Sequence, residues 1–401
     1  MQNNTMKEIE KITESLIPVR RHIHANPEIG LACQKTRDYV KDILEKMGYK
    51  TELIGVSGLT TTVGNGKEPV FLLRADMDAL PIDEDTDLEF ASTNPNHMHA
   101  CGHDIHTTML LGAAQYLKNH EAEINGTVKF MFQPGEETAE GATDMINNGI
   151  LENPKPEAGM MIHVAPGVPF DVGTIIIPKA GPAMASNDLF DIIIKGKGGH
   201  GSTPYLCVDP LVPGSTIMQA IQNIITKELP PNALTALTIG KVEGLDSYNI
   251  IPEIITLGGT LRTYSEERRK FIKERITEIS DNISKAFRCT SEVDYLFEVP
   301  TLLNAKEVAE VAYDSLKPFL EPDHLMDGLP IDIPLMGSED FAFVTHEIPS
   351  TAILIVASDA RAGGIYPLHH PKLVFDEKAI ESGILAYSQI ALGWIKNNQK
   401  K

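Results

Sequence analysis

The stretch "PVFLLRADMDALPI", residues 69–82, decides the fold. Its first half is an unbroken apolar run, which reads as a strand buried on both faces of an α/β sheet. Its second half carries Asp76 and Asp78, and ligands of open α/β sheets bind where the strands end. The pattern recurs along the chain. "GTVKFMFQPGEE" (126–137) is a buried strand that stops at Pro134-Gly135, just ahead of Glu136 and Glu137. "EAGMMIHV" (157–164) carries His163, and "TAILIVAS" (351–358) is a further buried strand. "TRDYVKDILEKMGY" (36–49) has helical spacing and ends at Gly48. "IHTTMLLGAAQYLKNH" (105–120) is apolar at 105, 109, 110, 113, 114 and 117, a single helical stripe.

The middle of the chain has a different character. "NDLFDIIIKGKGG", "ALTALTIGKVEG", "EIITLGGTLRTY" and "SEVDYLFEV" read as four strands, interleaved with helices at roughly 208–227 and 265–286. The order β-α-β-β-α-β is that of a ferredoxin-like unit. The expected division is a catalytic domain over 1–182 and 299–401, interrupted by a small α+β domain over 183–298.

The 401 residues carry a formal charge of −20, with 42% hydrophobic and 22% charged residues. That is a soluble globular composition. The acidity argues against nucleic acid or an anionic membrane as partner, since both demand a basic face. The polar N-terminus "MQNNTMKEIEKITESL" reads as neither signal peptide nor span. Four cysteines far apart, with no CxxC pair, suggest a cytoplasmic, disulfide-free enzyme.

The segment "HMHACGHDIH" (97–106) holds four of the thirteen histidines and Cys101. Histidine and cysteine suit zinc and its first-row neighbours. Cys101 and His103, separated by Gly102, fit a loop wrapping one ion, whereas a structural zinc finger would need a second pair that the chain lacks. Asp104 suits a helix cap. Glu136 and Glu137 on extended chain would point opposite ways, one to a metal and one to a water; alone they would better suit a charged helix start, but the pair terminates a buried strand. His163 alone would more often be a core residue, and His369-His370 in "YPLHHPKLVF" a solvated loop pair. His200 lies in glycine-rich "KGKGGHGSTP", where the backbone can approach another group closely.

Taken in order, "RRHIHANPEIG", "RADMDALPI", "HACGHDIHTTMLLGAA", "FQPGEE", "GKGGHGSTPY", "SYNIIPE", "GTLRT", "GSEDFA" and "LHHPKLVFDE" resemble the hippurate hydrolase and indole-acetyl-amino-acid hydrolase subfamily of the aminoacylase–carboxypeptidase metallopeptidases. The resemblance covers nearly the whole chain. It implies a zinc-exopeptidase-like catalytic domain, a mixed sheet between helices, with an inserted dimerisation or lid domain. It implies two divalent ions per subunit, with Cys101, His103, Glu137, His163 and His369 as ligands and Cys101 bridging as thiolate; zinc, manganese, cobalt and nickel all suit such a mixed sulfur, nitrogen and oxygen site. By the same resemblance Glu136 is the base, Asp78 orients from behind the ligands, and His200, Asn249 and Arg262 contact substrate, with His200 delivered across a homodimer. Two departures stand out. Asp76 replaces the histidine of the wider family's HxD motif, and Gly201 and Tyr205 replace an alanine and a histidine common among relatives.

The implied reaction is hydrolysis of an N-acyl-L-amino acid to a carboxylic acid and a free amino acid. Glu136 takes a proton from water and returns it to the leaving amine. N-acetyl-diaminopimelate deacetylases and dipeptidases or carboxypeptidases share the scaffold, and a cysteine amidase using Cys101 is the rival from another class.

Overall fold

The computed structural model describes residues 2–245, 247–328 and 336–399. The chain forms two units: residues 1–183, 303–333 and 340–401 make the first, and 184–302 with 334–339 the second. The second unit thus extends to Leu302, a few residues past the expected boundary, because the strand Thr290–Val299 runs to its natural end inside it. It also takes in the described residues 336–339, which fall in the expected catalytic part.

The first unit is built on an eight-stranded sheet. Its order is Glu52–Ile54, Gly58–Gly64, Thr127–Gln133, Val70–Asp76, Ala158–Ala165, Ser350–Val356, Ile175–Ile177 and Leu325–Asp327. The four strands from Thr127–Gln133 to Ser350–Val356 run parallel, while Gly58–Gly64 and Ile175–Ile177 join antiparallel. Every residue of Val70–Asp76 and of Thr127–Gln133 is buried, so helices and loops cover both faces, as continuous apolar runs require. Phe71, Leu73, Phe130 and Phe132 lie in the main core, and fully burying each side chain contributes roughly 1.5–3 kcal/mol before entropy is counted.

The helix His103–Asn119 departs from the single stripe expected. Fourteen of its residues are buried, including Thr107, Thr108 and Gly112. It packs against the sheet and against the helices Gln2–Ala25 and Ala379–Asn397, so it is buried all round. Those two outer helices were not read from the sequence. The first hides its apolar stripe (Ile9, Ile12, Leu16, Ile23) among charged residues.

The second unit is a four-stranded antiparallel sheet in the order Thr235–Glu243, Ile254–Thr263, Asn187–Lys195, Thr290–Val299. In chain order these strands alternate with the helices Leu211–Ala220 and Glu266–Ala286 as β-α-β-β-α-β. A short π-helical turn, Ile224–Glu228, follows the first helix where the sequence suggested one continuous helix. Phe190, Ile192 and Ile194 from the strands meet Ile217, Ile272 and Ile276 from the helices in a separate core.

Tyr387, fully buried on the helix Ala379–Asn397, ties that helix to two central strands. Its hydroxyl donates to the Arg74 carbonyl at 2.6 Å and accepts the Ile162 N–H at 3.2 Å. Tyr387→Phe should therefore destabilise the protein by about 1–3 kcal/mol, the usual cost of stripping partners from buried polar groups. Urea unfolding of the metal-free protein checks this; an unchanged midpoint would show that the bonds contribute nothing net.

Candidate metal centre

The ligand-type side chains come from three strand ends, one helix start and the loop that carries His369. Gly102 precedes the helix with φ +86°, and a Cβ there would lie 2.5 Å from Val164 Cγ2. Only glycine fits, and the left-handed turn lets Cys101 and His103 address the same space. His163 comes from the strand Ala158–Ala165. His369 also has positive φ, and its backbone N–H donates to the Ala100 carbonyl at 3.0 Å, which docks its loop onto the Cys101 segment.

Glu136 and Glu137 do not lie on extended chain as expected. They occupy a turn after Gly135, and their backbone N–H groups both donate to the Asp78 carboxylate, at 3.0 and 3.1 Å. The turn makes the two side chains converge. Glu136 Oε2 and Glu137 Oε1 each stand 3.8 Å from His103 Nε2. Asp78 also faces His103 Nδ1 at 3.3 Å, so one carboxylate orients the glutamate pair and the imidazole together.

Of the five close groups of ligand-type atoms among the described residues, two share Cys101, each gathered within 4.8 Å: Cys101, His103 and His163, and Cys101, Glu137 and His369. Cys101 belongs to both. Its Sγ is 3.4 Å from His163 Nε2, and Glu137 Oε1 is 3.6 Å from His369 Nε2. His370 instead stacks on Tyr366 with ring centroids 4.4 Å apart and accepts the Lys372 N–H. His163 donates from Nδ1 to the Val164 carbonyl at 2.8 Å, leaving the Nε2 lone pair turned toward Cys101.

The electrostatics favour a cation. His103 Nε2 and Glu137 Oε1 are buried without a hydrogen-bond partner among the described residues. Burial works against charging His103, yet the carboxylates of Asp76, Asp78 and Glu137 raise it to about 10, which marks a place that attracts positive charge. Burial, reinforced by Asp78 and Asp76, pushes Glu137 up to about 7. Burial, together with neighbouring His106 and His103, lowers His163 to about 3, which keeps the imidazole neutral and able to donate a lone pair. Burial and the surrounding Glu137, Glu136 and Asp76 push the Cys101 thiol upward. A cysteine nucleophile needs an electropositive setting; Cys101 is faced by acids, whereas a coordinated thiol is deprotonated outright. The donor set of one thiol, imidazoles and carboxylate suits borderline divalent ions.

Several residues here were not found from the sequence. Arg74, wholly buried, pairs with Asp76 at 2.7 Å and with Asp340 at 2.8 Å, and donates from Nε to Gln133. Its spacing of two from Asp76 on a strand, which puts both on one face, was the available signal. Asp104 caps nothing. It forms ion pairs with Arg20 and His24, both at 2.8 Å, because the buried guanidinium of Arg20 needs a counter-charge.

The remaining expected site residues belong to the second unit. His200 pairs with Ile250 across a short antiparallel bridge, and the next N–H, of Gly201, donates to the Asn249 carbonyl, so His200 and Asn249 share one loop cluster. His200 Nδ1 accepts the Ser202 N–H at 3.1 Å, which leaves the proton of a neutral ring on Nε2. Arg262, on the strand Ile254–Thr263, donates to the Met336 carbonyl at 2.7 Å.

Comparison with known proteins agrees with this geometry. The chain is 33% identical over 385 residues to the IAA-amino acid hydrolase ILR1-like 4 of Arabidopsis thaliana, covering 95% of this chain and 86% of that protein. It is 34% identical over 378 residues to the N-acetyl-L-cysteine deacetylase of Bacillus subtilis, covering 93% and 86%. Among solved structures, a Bacillus subtilis protein described as a dinuclear metal binding peptidase of the M20 family matches with a TM-score of 0.82 at 29% identity, over 96% of this chain and 99% of that one. A sequence model of peptidase family M20/M25/M40 matches residues 72–393, and the chain, an enzyme of the hydrolase class, belongs to that family.

Proposed function

We propose that this protein is a two-metal amidohydrolase that cleaves N-acyl-L-amino acids to a carboxylic acid and a free amino acid. The observation that carries the reading is the pair of three-residue ligand sets sharing Cys101, with Glu136, which itself groups closely with His103 and Glu137, as a carboxylate outside both. A storage site has no use for such a group, whereas hydrolysis needs a base. The names of the relatives, an amino acid conjugate hydrolase and an N-acetyl amino acid deacetylase, support the substrate class.

Cys101, His103, Glu137, His163 and His369 would hold two divalent ions, with zinc, manganese, cobalt and nickel all compatible with the donors. When bound, such ions supply Lewis acidity and ready ionisation of water. Glu136 takes the proton of the attacking water and returns it to the leaving amine. Asp78 holds Glu136, Glu137 and His103 in mutual register. In the second unit, His200 offers its Nε2–H to the developing oxyanion. Arg262 and Asn249 bind the substrate's carboxylate, which lets an acidic protein accept an anion.

The ferredoxin-like second unit serves as a dimerisation domain in this reading. Its sheet ends in the long edge strand Thr235–Glu243, and such edges are usually covered or paired. Four free cysteines, all buried, suit the cytoplasm.

Glu136→Gln should keep both ions and lose about 10²–10⁴-fold in kcat, since an amide cannot accept the proton. Elemental analysis alongside steady-state kinetics checks this, and near-normal kcat with full metal would remove Glu136 from the role. Cys101→Ser should weaken metal binding and make activity depend on excess added metal, because serine is a poor, protonated ligand. Tight binding of two ions by the serine variant would show that Cys101 is not a ligand. Mixing Glu136→Gln with His200→Ala under conditions of subunit exchange should restore roughly a quarter of wild-type activity, since about half the dimers are hybrids with one intact site. Exchange without recovery would mean that His200 does not serve the partner's site.

A further inference from the structure

His106 is completely buried beside the ligand cluster, its ring 4.8 Å from that of His163 and 5.4 Å from that of His103. With Asp76 and His103 it makes another close group of ligand-type atoms, so proximity alone would nominate it as a further metal ligand. Its hydrogen bonds exclude that. Nε2 accepts the Val164 backbone N–H at 2.9 Å, so this nitrogen carries no proton and its lone pair is committed. Nδ1 therefore holds the proton and donates it to Asp76 Oδ1 at 2.7 Å. Neither nitrogen is left for an ion. Asp76 is equally occupied: Oδ1 takes the imidazole and Oδ2 takes Arg74 at 2.7 Å.

The backbone explains why an imidazole stands there. The strand Val70–Asp76 pairs with Ala158–Ala165 only as far as Arg74 opposite Met161. Beyond that point the Val164 N–H has no partner on this neighbour, and a buried N–H needs one. His106 supplies it. Val164 is also the residue whose carbonyl accepts from His163 Nδ1 and so sets that ring's tautomer. Asp340, Arg74, Asp76, His106, Val164 and His163 thus form one continuous chain of polar contacts within the first unit.

We propose that His106 is a positioning residue for the metal site: it clamps Val164 so that the carbonyl of that residue holds His163 with Nε2 turned toward Cys101, where it could ligate an ion, and Asp76, fixed by Arg74, locks His106 in the accepting tautomer. The inference rests on the reading of His163 as a ligand. Partners behind metal-binding histidines fix ring orientation, and their loss costs about 10–100-fold in metal affinity.

Two substitutions separate the two nitrogens. His106→Asn keeps a donor near the Nδ1 position and loses the acceptor for Val164; His106→Gln puts an acceptor near the Nε2 position. Metal stoichiometry by elemental analysis and zinc affinity by chelator competition are measured for both and for wild type. The expected result is two zinc ions per chain in all three, affinity lowered about 10–100-fold in His106→Asn, and most of that loss recovered in His106→Gln. One ion fewer in both variants would make His106 a ligand and overturn the inference. Unchanged affinity in His106→Asn, with wild type binding two ions, would overturn it while leaving the metal reading intact; failure of wild type itself to take two ions would sink both. Should the variants not fold, nitrogen NMR of zinc-loaded wild type with ¹⁵N-labelled histidine decides. His106 must show a protonated Nδ1 and an Nε2 without a metal shift, and His163 a protonated Nδ1 with a metal-shifted Nε2. Any other pattern at His106 refutes the clamp.

Discussion

A guanidinium with no exposure to water sits in the middle of the central sheet. Arg74 cannot lose its proton, and an uncompensated charge at that depth would be prohibitive. Two carboxylates and an amide satisfy it: Asp76 two residues along, Asp340 from a distant loop and Gln133 from the neighbouring strand. Breaking a buried group of this kind typically costs about 3–5 kcal/mol, because the remaining charges are stranded. The arrangement is weak evidence for stability, since an apolar replacement could pack as well. Its value lies in direction. It brings a late loop, residues 340–342, against the end of a strand near residue 133, where Ala142 also donates to Asp340.

From that anchor the site is assembled by carboxylates acting on backbone and imidazole groups. Asp76 and Asp78 both follow from one strand, yet they do different things. Asp76 faces backward into the arginine and His106, while Asp78 faces forward and binds the two glutamate N–H groups and His103. Excess negative charge is thereby concentrated around His103 and Cys101, and a cation is what would relieve it. Burial, with Glu137, Glu136 and Asp76, pushes the Cys101 thiol upward, which disfavours thiol nucleophilicity in the absence of such a charge and favours coordination.

Much of this was legible beforehand because strand signals are local. Unbroken apolar runs, the acids and imidazoles at their ends, and the alternation of four strands with two helices in the middle segment depend only on short-range periodicity. Motif order along the chain carried the family, and with it the proposed ligands. The helix Gln2–Ala25 has a stripe diluted by charged residues, whereas Ala379–Asn397 carries apolar residues at 380, 384, 391 and 395 in helical spacing, a local signal that the sequence reading did not use.

The sequence alone determined the α/β class, the interruption by a second unit and the residue types available for a metal. Tertiary structure decided how those residues are used. His369 and His370 are indistinguishable as neighbours in a loop; a positive φ and a bond to Ala100 turn one toward Glu137, while the other stacks on Tyr366. Glu136 and Glu137 would diverge on an extended strand, and converge because both their N–H groups are claimed by Asp78, some 60 residues away. Asp104 suits a cap by residue type, but Gly102 holds the N-cap position, and Asp104, one residue into the helix, pairs with Arg20 and His24 instead. His106 would be a ligand by proximity, and is not, because the Val164 N–H takes its lone pair. In each case a polar group's role is set by which partner reaches it first in a buried setting, and that partner lies too far along the chain for any local pattern to name it.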